Sequence, residues 1–514
     1  MSFELNRRKA LQMGAASAGA LAVGTSAARA QEKNKGGTLR LGLSGANTSD
    51  SFDGATTTDA FGQVITFGTV FDCLTEVAAD GSLKGELAES WEASADAKEW
   101  TFRLRDAEFH NGKTVTAEDV MASLNHHRGE DSKSAAKPIV EPIESMTKMD
   151  DKTLRIVLKN GNADLPYLLS DYHLLMYPEN VQEAIEKGIG SGAYKVENFE
   201  PGVRFAGTRN ENDYRDDRGW FDAVEYIAIN DGTARISALA TGEVDVANKI
   251  EPRAVEALSR QPSITISEVT GNQHYTFPMD TRSPPYADNN VRNALKYAIN
   301  RQEMVDKVLF GHGAVANDHP IGPANQYFAQ DLEQTEYDPD KARYYMKQAG
   351  IDKLEVSLSS SDAAFPGAVD AAQLYQQSAE AAGISMKVVQ EPKDGYWSNV
   401  WMKKPFCACY WSGRATEDWM FNTAYEAGVP WNDAYWDHPR FNKLLLEARV
   451  ELDPGKRGEL YRELQSIVRT EGGTVIPMYA NYIDAASDRI VVPEVVSNVW
   501  QLDGCRIAER WSFA

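Results

Sequence analysis

The chain has 514 residues, 42% of them hydrophobic and 25% charged, which is typical of a folded soluble protein and excludes a disordered or collagen-like chain. Lysine and arginine together number 53 and aspartate and glutamate 75, so the formal net charge is −22. Proteins that bind nucleic acid need a basic surface to displace phosphate counterions, and this charge argues against that class. At roughly 100–200 residues per domain, the length predicts two to four domains.

The first 30 residues are predicted to be an export signal of the twin-arginine type. Arg7 and Arg8 begin a basic segment, a glycine- and alanine-rich stretch follows, and Ala28-Arg29-Ala30 supplies a small-x-small cleavage site. An ordinary secretory signal is the alternative. Cleavage would remove four basic residues and one acidic residue, leaving 484 residues with a net charge of −25. We expect a periplasmic protein without a membrane anchor, because no other apolar run reaches the about 20 residues of a transmembrane helix.

The first predicted elements after this signal are strands. Residues 38–43 alternate leucine with polar or small residues, which is the pattern of a half-buried strand. Residues 100–105 alternate apolar and polar residues in the same way. Asn111-Gly112, a few residues further on, favours a hairpin turn.

Helical patterns follow in the second half of the chain. One apolar face begins at residue 291 and extends to residue 309. Asp338-Pro339 and Gly350 are the residue types of a helix start and a helix end. Residues 441–468 are amphipathic, but Asp453-Pro454-Gly455 interrupts them and predicts two helices. Strands and helices therefore mix throughout, which predicts an α/β or α+β fold with mixed sheets.

No motif gives positive support for an enzyme, a cofactor or a metal site. Gly112-Lys113-Thr114 lacks the leading glycine of a phosphate-binding loop, and the glycine-rich residues 188–192 lack the spacing of a dinucleotide-binding motif. His126-His127 is the only adjacent pair of histidines, and we expect it on a solvated helix face rather than at a metal ion.

The four cysteines leave their pairing open. Cys73, Cys407, Cys409 and Cys505 allow three disulfide connectivities. Cys407 and Cys409 would share one face of a strand, where their geometry does not suit a mutual disulfide. Buried thiols are favoured over a bridge to a distant partner.

A series of short blocks resembles one protein family. Residues 87–120 contain L-A-E-S-W, F-R-L-R, F-H-N-G and T-A-E-D-V in that order. Later blocks are G-S-G-A-Y-K at 190–195, R-N-E-N-D-Y at 209–214, T-G-E-V-D at 241–245, P-P-Y-A-D-N-N-V-R-N-A-L-K-Y-A-I-N-R at 284–301, Y-D-P-D-K-A-R at 337–343 and I-P-M-Y at 476–479. Together they resemble the bacterial extracellular solute-binding proteins of family 5, which serve ABC importers for peptides, opines and nickel. The resemblance covers essentially the whole chain after the export signal.

The resemblance implies a two-lobed periplasmic binding protein of type II, in the large class with an extra subdomain, mixed sheets and a two-segment hinge. The first lobe would hold residues 36–60, 189–274 and 484–514, its subdomain residues 61–188, and the second lobe residues 275–483. Lobes of this kind close on a solute, and only a higher affinity for the closed state drives that closure. The closed monomer would deliver its solute to an inner-membrane ABC permease with a cytoplasmic ATPase.

The expected cleft departs from the family at one position. In peptide-binding members, a W-x-x-D segment of the second lobe supplies an aspartate that pairs with the peptide's α-ammonium. The matching segment here is Trp411-Ser412-Gly413-Arg414, so an arginine replaces the acid. A guanidinium repels an ammonium and offers paired donors to a carboxylate, so we expect an anionic group of the solute here. The alternative is that Arg414 turns to a local carboxylate, Glu417 or Asp418.

The other candidate ligand-binding residues come from both lobes and combine aromatic faces with a few polar groups, as is typical of such clefts. They are Trp397, Tyr410 and Trp411 as apolar walls, Trp431 and Asn432 on one side, Asn248 and Lys249 at the first-lobe edge, and Gln273 and His274 near the second crossing segment.

The sequence thus predicts the solute-binding component of an ABC importer for a small, polar, carboxylate-bearing solute. An opine-like conjugate, a carboxylated chelate and an amine-blocked peptide all have this character. An ordinary di- or oligopeptide is the alternative ligand. A periplasmic enzyme or chaperone on the same scaffold is a remote alternative, which no motif supports.

Overall fold

The computed structural model describes residues 34–393 and 395–514. The predicted export signal, residues 1–30, lies outside the described residues. Within the described part, no helix is long and apolar enough to cross a membrane.

The described chain contains strands and helices in mixed order. The strands are β1 (Thr38–Leu43), β2 (Thr75–Val77), β3 (Leu83–Gly85), β4 (Ala88–Ala93), β5 (Glu99–Leu104), β6 (Ile143–Asp150), β7 (Thr153–Leu158), β8 (Tyr194–Glu200), β9 (Arg204–Arg209), β10 (Ala223–Ala228), β11 (Val246–Ala247), β12 (Ile264–Pro278), β13 (Gly313–Val315), β14 (Leu354–Ser360), β15 (Ile384–Gln390), β16 (Cys409–Trp411), β17 (Thr474–Ser487), β18 (Ile490–Val491) and β19 (Ser512–Phe513). The helices are α1 (Ala60–Ile65), α2 (Ala117–His126), α3 (Lys137–Val140), α4 (Leu165–Leu168), α5 (Val181–Lys187), α6 (Gly232–Ala240), α7 (Pro252–Ser259), α8 (Asn289–Tyr297), α9 (Arg301–Val308), α10 (Pro339–Gln348), α11 (Ala368–Glu380), α12 (Tyr396–Asn399), α13 (Glu417–Ala424), α14 (Pro439–Val450), α15 (Pro454–Glu471), α16 (Gln501–Gly504) and α17 (Ile507–Arg510).

The largest sheet is organised around two long antiparallel strands, β12 and β17. Its order is β16-β12-β17-β11-β1-β10-β9-β8, and β13 also pairs with β17. The two long strands pair along their whole length, with a register shift between Thr270 and His274. At one end β17 adjoins β11 and through it β1, while at the other end β12 adjoins β16. The two long strands therefore connect two groups of elements.

The group of elements that includes β1 has two buried clusters, and the first of them combines residues from both termini of the described chain. Leu41 of β1 packs in a buried cluster with Trp511 from the C-terminal segment. A separate cluster, which includes Phe102 and Leu124, lies between α2 and the antiparallel sheet β4-β5-β7-β6. This sheet falls within the range expected for a subdomain.

The second group covers both faces of the other half of β12 and β17. Val475 and Met478 belong to one cluster, whereas Ile476 and Tyr479 belong to another. Neighbouring side chains of a strand point to opposite faces, so the division within Val475-Ile476 and within Met478-Tyr479 places a core on each side of the sheet. A second register shift, between Tyr275 and Phe277, separates the two pairs. The fold class is mixed α/β, as predicted.

Most predicted elements are present. Leu39, Leu41 and Leu43 of β1 are fully buried, and β5 follows the predicted alternation. Gly112 turns the chain with a φ of +82°, next to a bridge between Glu108 and Thr114.

The sequence also predicted two helix boundaries correctly. Asp338 caps α10 by accepting a hydrogen bond from the Lys341 amide. Residues 441–468 form parts of α14 and α15, and Asp453 caps the second of these helices.

One predicted helix and one predicted surface are wrong. The apolar face over 291–309 is divided between α8 and α9, because Asn300 caps α9 and ends the continuous pattern. The pair His126-His127 does not lie on a solvated face. His127 is fully buried and bonds to Ser134, and His126 bonds to Asp53. All four cysteines are buried free thiols, the favoured interpretation.

Candidate ligand-binding cleft

Arg414 lies in the loop between β16 and α13, and its backbone is held from two sides. The side-chain amides of Asn272 and Asn325 donate to its carbonyl oxygen at 3.2 and 3.1 Å. Its Nη1 donates to the carbonyl of Gly413 at 2.7 Å, and the guanidinium lies 5.5 Å from the centre of the Trp419 ring. The position of this charge is therefore set by neighbours from several segments.

Neither of the two local carboxylates pairs with Arg414. Glu417 accepts a hydrogen bond from the Tyr327 amide at 2.7 Å, and burial raises the pKa of this carboxyl to about 7. Asp418 is paired with Arg449 at 2.9 Å. Within the described part of the chain Arg414 forms no ion pair, so its charge is available to a ligand. An isolated buried charge is costly, which favours an anionic partner.

Two residues that the sequence did not indicate, Asp171 and Tyr172, act electrostatically on Arg414. Burial lowers the pKa of the Arg414 guanidinium, whereas Tyr172 and Asp171 act to raise it. The Tyr172 hydroxyl is hydrogen-bonded to Gln63 of α1, and its ring lies 5.5 Å from that of Trp500. Asp171 and Tyr172 come from the predicted subdomain, in a D-Y-H segment without any local signal of binding.

The expected aromatic residues form a connected wall. Trp397 lies 5.7 Å from Tyr410, Trp411 lies 6.1 Å from Trp431, and Trp401 joins the two pairs at 5.9 and 6.3 Å between ring centres. Trp397, Tyr410 and Trp431 are 41%, 40% and 49% exposed, and Trp411 is buried. The three exposed rings offer apolar faces to a ligand.

A buried carboxylate, Asp433, supports this wall. It accepts a hydrogen bond from Nε1 of Trp401 at 3.2 Å and a further one from Trp411. Burial raises the pKa of Asp433 to about 6, and these indole donors act to lower it. Asp433 therefore holds Trp401 and Trp411 in place. These two rings in turn pack against the exposed rings of Trp397 and Trp431.

The polar side chains expected at the first-lobe edge have partners within the protein. Lys249 Nζ lies 2.7 Å from Asp59, and the Asn248 amide bonds to Ser44 and Gln501. Burial, Cys409 and then Asp59 raise the pKa of Tyr410, so this edge lies near the aromatic wall. The charge of Lys249 is largely balanced.

The remaining candidate residues differ in how far their side chains are exposed. Gln273 is half-buried, whereas His274 is fully buried, with Nδ1 at 3.2 Å from the Asn272 carbonyl oxygen. Burial lowers the pKa of His274 to about 4, so it is neutral at physiological pH. Asn432 is buried, and its amide donates to the carbonyl of Trp436 at 2.7 Å.

One other cluster has the residue types of a metal site. The carboxylates of Asp72, Glu86 and Glu509 lie together in the interior. Arg215 lies 2.9 Å from Asp72, and Arg506 lies 2.6 Å from Glu86. Because these guanidiniums already occupy the cluster, we assign it a structural role.

Solved structures identify the class of protein that this fold represents. The periplasmic binding protein AgaA from A. tumefacien R10, solved with agropinic acid, superposes with a TM-score of 0.75 at 22% identity, over 93% of this chain and 99% of that one. HbpA2 from Haemophilus parasuis superposes with a TM-score of 0.80 at 20% identity, over 88% and 96% of the two chains. The fold is that of a two-lobed periplasmic binding protein.

Sequence comparisons identify the family. The model for bacterial extracellular solute-binding proteins, family 5, middle region, matches residues 82–433. The dipeptide-binding protein of Escherichia coli (strain K12) is 25% identical over 439 residues, which cover 76% of this chain and 79% of the relative. The chain belongs to the bacterial extracellular solute-binding proteins of family 5. This is a family of binding proteins for transport rather than of enzymes.

Proposed function

We propose that this protein is the periplasmic component of an ABC importer that captures a small, polar, carboxylate-bearing solute, and that Arg414 binds the carboxylate. The solute would lie between Arg414 and the aromatic wall of Trp397, Tyr410 and Trp431. The closed monomer would then deliver it to the permease. An export signal over residues 1–30 is part of the same proposal.

One observation carries the choice of solute class: Arg414 is a partly buried cation that forms no ion pair with any residue the structure describes. The two carboxylates that follow it in the sequence are engaged elsewhere, Glu417 by a backbone amide and Asp418 by Arg449. Asp171, which also acts on the guanidinium, is hydrogen-bonded to His173. Hydrogen bonds from a guanidinium to a carboxylate are among the strongest in proteins, and the paired geometry selects for that group. Lys249 contributes less than expected, because Asp59 balances it.

We also propose that the lobes meet within β12 and β17, close to the boundaries expected from the sequence. The register shift between Thr270 and His274 supports a crossing at that point, because such an irregularity bends a strand locally. In β17 the residues opposite are Asn481 and Tyr479, a few positions before the expected boundary at residue 484.

An ordinary di- or oligopeptide is the second candidate ligand. The similarity to the Escherichia coli dipeptide-binding protein favours it. In that case the peptide's α-ammonium would have to bind away from Arg414, because like charges in a cleft repel.

Mass spectrometry of the protein released gently from the periplasm would test the proposal first, by detecting a bound solute and its mass. A thermal-shift screen with unmodified dipeptides, N-acetylated dipeptides and sugar–amino acid conjugates would follow. We expect stabilisation by probes that carry a carboxylate and no free α-ammonium. Strong stabilisation by unmodified dipeptides would instead support the second candidate.

A further inference from the structure

A segment of the predicted subdomain, residues 161–173, contacts the predicted second lobe outside the cleft. The Ala163 amide donates to the carbonyl of Arg449 at 2.8 Å. Asp164 Oδ1 lies 2.6 Å from Nη2 of Arg457, and their side chains are only 4% and 7% exposed. This contact joins the start of α4 to the end of α14 and the start of α15.

The segment packs tightly at Gly161, against Asp96 on one side and Val450 on the other. A Cβ atom added to Gly161 would lie 2.0 Å from the carbonyl oxygen of Asp96 and 3.1 Å from Cγ1 of Val450. Only glycine therefore fits between the subdomain and α14 at this point.

The other end of the same segment reaches the cleft. It carries Asp171 and Tyr172, the two residues that act on the Arg414 guanidinium. The Asp171 carboxylate accepts hydrogen bonds from the amide and the ring of His173 at 3.0 and 2.6 Å. Thus one short segment contacts the predicted second lobe at Arg449 and Arg457 and also acts electrostatically on Arg414.

We propose that residues 161–173 form a latch, in which Asp164 and Arg457 are positioning residues that hold the two lobes in the closed arrangement even without a solute. The latch deepens the proposed function, because a solute held by the closed arrangement is bound more tightly when that arrangement is already populated. Neither Asp164 nor Arg457 needs to touch the solute.

The physical basis is the different solvation of the pair in the two arrangements. When the lobes separate, water can reach both charges. When they join, both charges are buried, and each becomes uncompensated if the other is removed. Arg457 also donates to the Ala448 carbonyl at 3.2 Å, whereas the buried Asp164 Oδ2 has no hydrogen-bond partner among the residues described. Removal of one partner should therefore penalise the closed arrangement selectively, and neutralisation of both should cost less.

The test is a distance measurement on protein stripped of solute by unfolding and refolding. Spin labels on cysteines introduced at Glu130 and Lys443, two exposed positions on opposite sides of the latch, report the separation of the lobes by electron paramagnetic resonance. The four native cysteines are buried, so labelling is confined to the introduced sites.

The wild type should show a major short distance. Asp164→Asn and Arg457→Met should each lower the ratio of short to long distances by about tenfold or more, and the double variant should recover part of this loss. Asp331→Asn is the matched control, since Asp331 pairs with Arg462 of α15 on the exposed surface of one lobe. Unchanged distances in both single variants, or a wild type with only the long distance, would overturn the latch.

A failure of the proposed function can be distinguished from a failure of the latch. Native mass spectrometry of protein purified without unfolding measures the fraction that carries a bound solute. Absence of bound mass in the wild type would count against the proposed function, while the distances would still decide the latch.

Discussion

At the scale of single residues, Arg414 is the group on which the proposed solute class depends. Arg414→Asp would place a negative charge where the solute's carboxylate is expected, and we expect binding of the native solute to be abolished. Arg414→Lys keeps the charge without the paired donors and should weaken binding by about tenfold or more. Native mass spectrometry measures the occupancy of each variant, and circular dichroism controls for folding. Wild-type occupancy in Arg414→Asp would refute the assignment.

A second residue-scale prediction concerns His319, which is fully buried. Burial lowers the pKa of His319 to about 4, against about 6.5 in an unfolded chain. Between these values the unfolded state binds more protons, so the free energy of unfolding falls as the pH falls, by at most about 1.4 kcal/mol per pH unit.

The variant His319→Gln should remove this contribution. Chemical unfolding at pH 6.5, 5.5 and 4.5 should show a stability that falls less steeply with acidification than in the wild type, by about 1 kcal/mol per pH unit. His312→Gln, at a part-exposed histidine paired with Glu268, controls for the loss of an imidazole. Parallel pH profiles for His319→Gln and the wild type would contradict the prediction.

At the scale of elements, α8 supplies the donors that cap the end of α15. Lys296 Nζ donates to the carbonyls of Val468 and Arg469 at 3.2 and 2.7 Å, and Arg292 donates to that of Glu471 at 2.7 Å. The last carbonyls of a helix have no partners within the helix, so the contacts to Arg469 and Glu471 satisfy groups that would otherwise be unpaired. Val468 also accepts from the Gly472 amide. This gives a physical role to the R-N-A-L-K part of the block at 284–301.

Lys296→Met should therefore destabilise the protein. The fully buried ammonium is lost and the Arg469 carbonyl loses its donor, whereas Val468 keeps the Gly472 amide, and we expect a cost of about 1–3 kcal/mol in the free energy of unfolding. Denaturant unfolding measures this, with Lys307→Met as control, since Lys307 pairs with Glu303 on the exposed face of the neighbouring helix α9. An equal loss in both variants would mean that the capping contacts contribute nothing.

The elements that could be predicted are those with local signals. Asp338 and Asp453 cap helices where a short polar residue precedes a proline, and both helix starts were predicted. The break between α8 and α9 was missed, because the apolar pattern continued through it and the cap at Asn300 was overlooked.

In the candidate site, too, only the residue with a local sequence signal could be predicted. The charge reversal at Arg414 was visible in one motif, so the position was predicted. Its supporting amides, Asn272 and Asn325, lie 142 and 89 positions away along the chain. Contacts of this kind depend on how distant segments pack and leave no periodic or motif signal in the sequence. Tyr172 was not predicted, because its place near Arg414 also depends on the packing of distant segments.

At the scale of the whole molecule, one buried arginine joins the C-terminal segment to the predicted subdomain. Arg506 is 1% exposed, and its Nη1 lies 2.6 Å from Glu86, which precedes β4, and 3.0 Å from Glu509 of α17. Its guanidinium also lies 4.3 Å from the centre of the Phe67 ring. A chain segment at each end of the fold therefore shares one cation, which should make the subdomain and the first lobe unfold together.

Arg506→Met tests this coupling, because it keeps much of the apolar volume but leaves two buried carboxylates without their shared cation. We expect a loss of about 3–5 kcal/mol, as for other broken buried ion pairs, and a calorimetric transition that separates into two. Arg204→Met is the matched control, since Arg204 pairs with Glu200 on the exposed surface of one sheet. A single transition at the wild-type temperature in Arg506→Met would show that the coupling between these parts does not depend on Arg506.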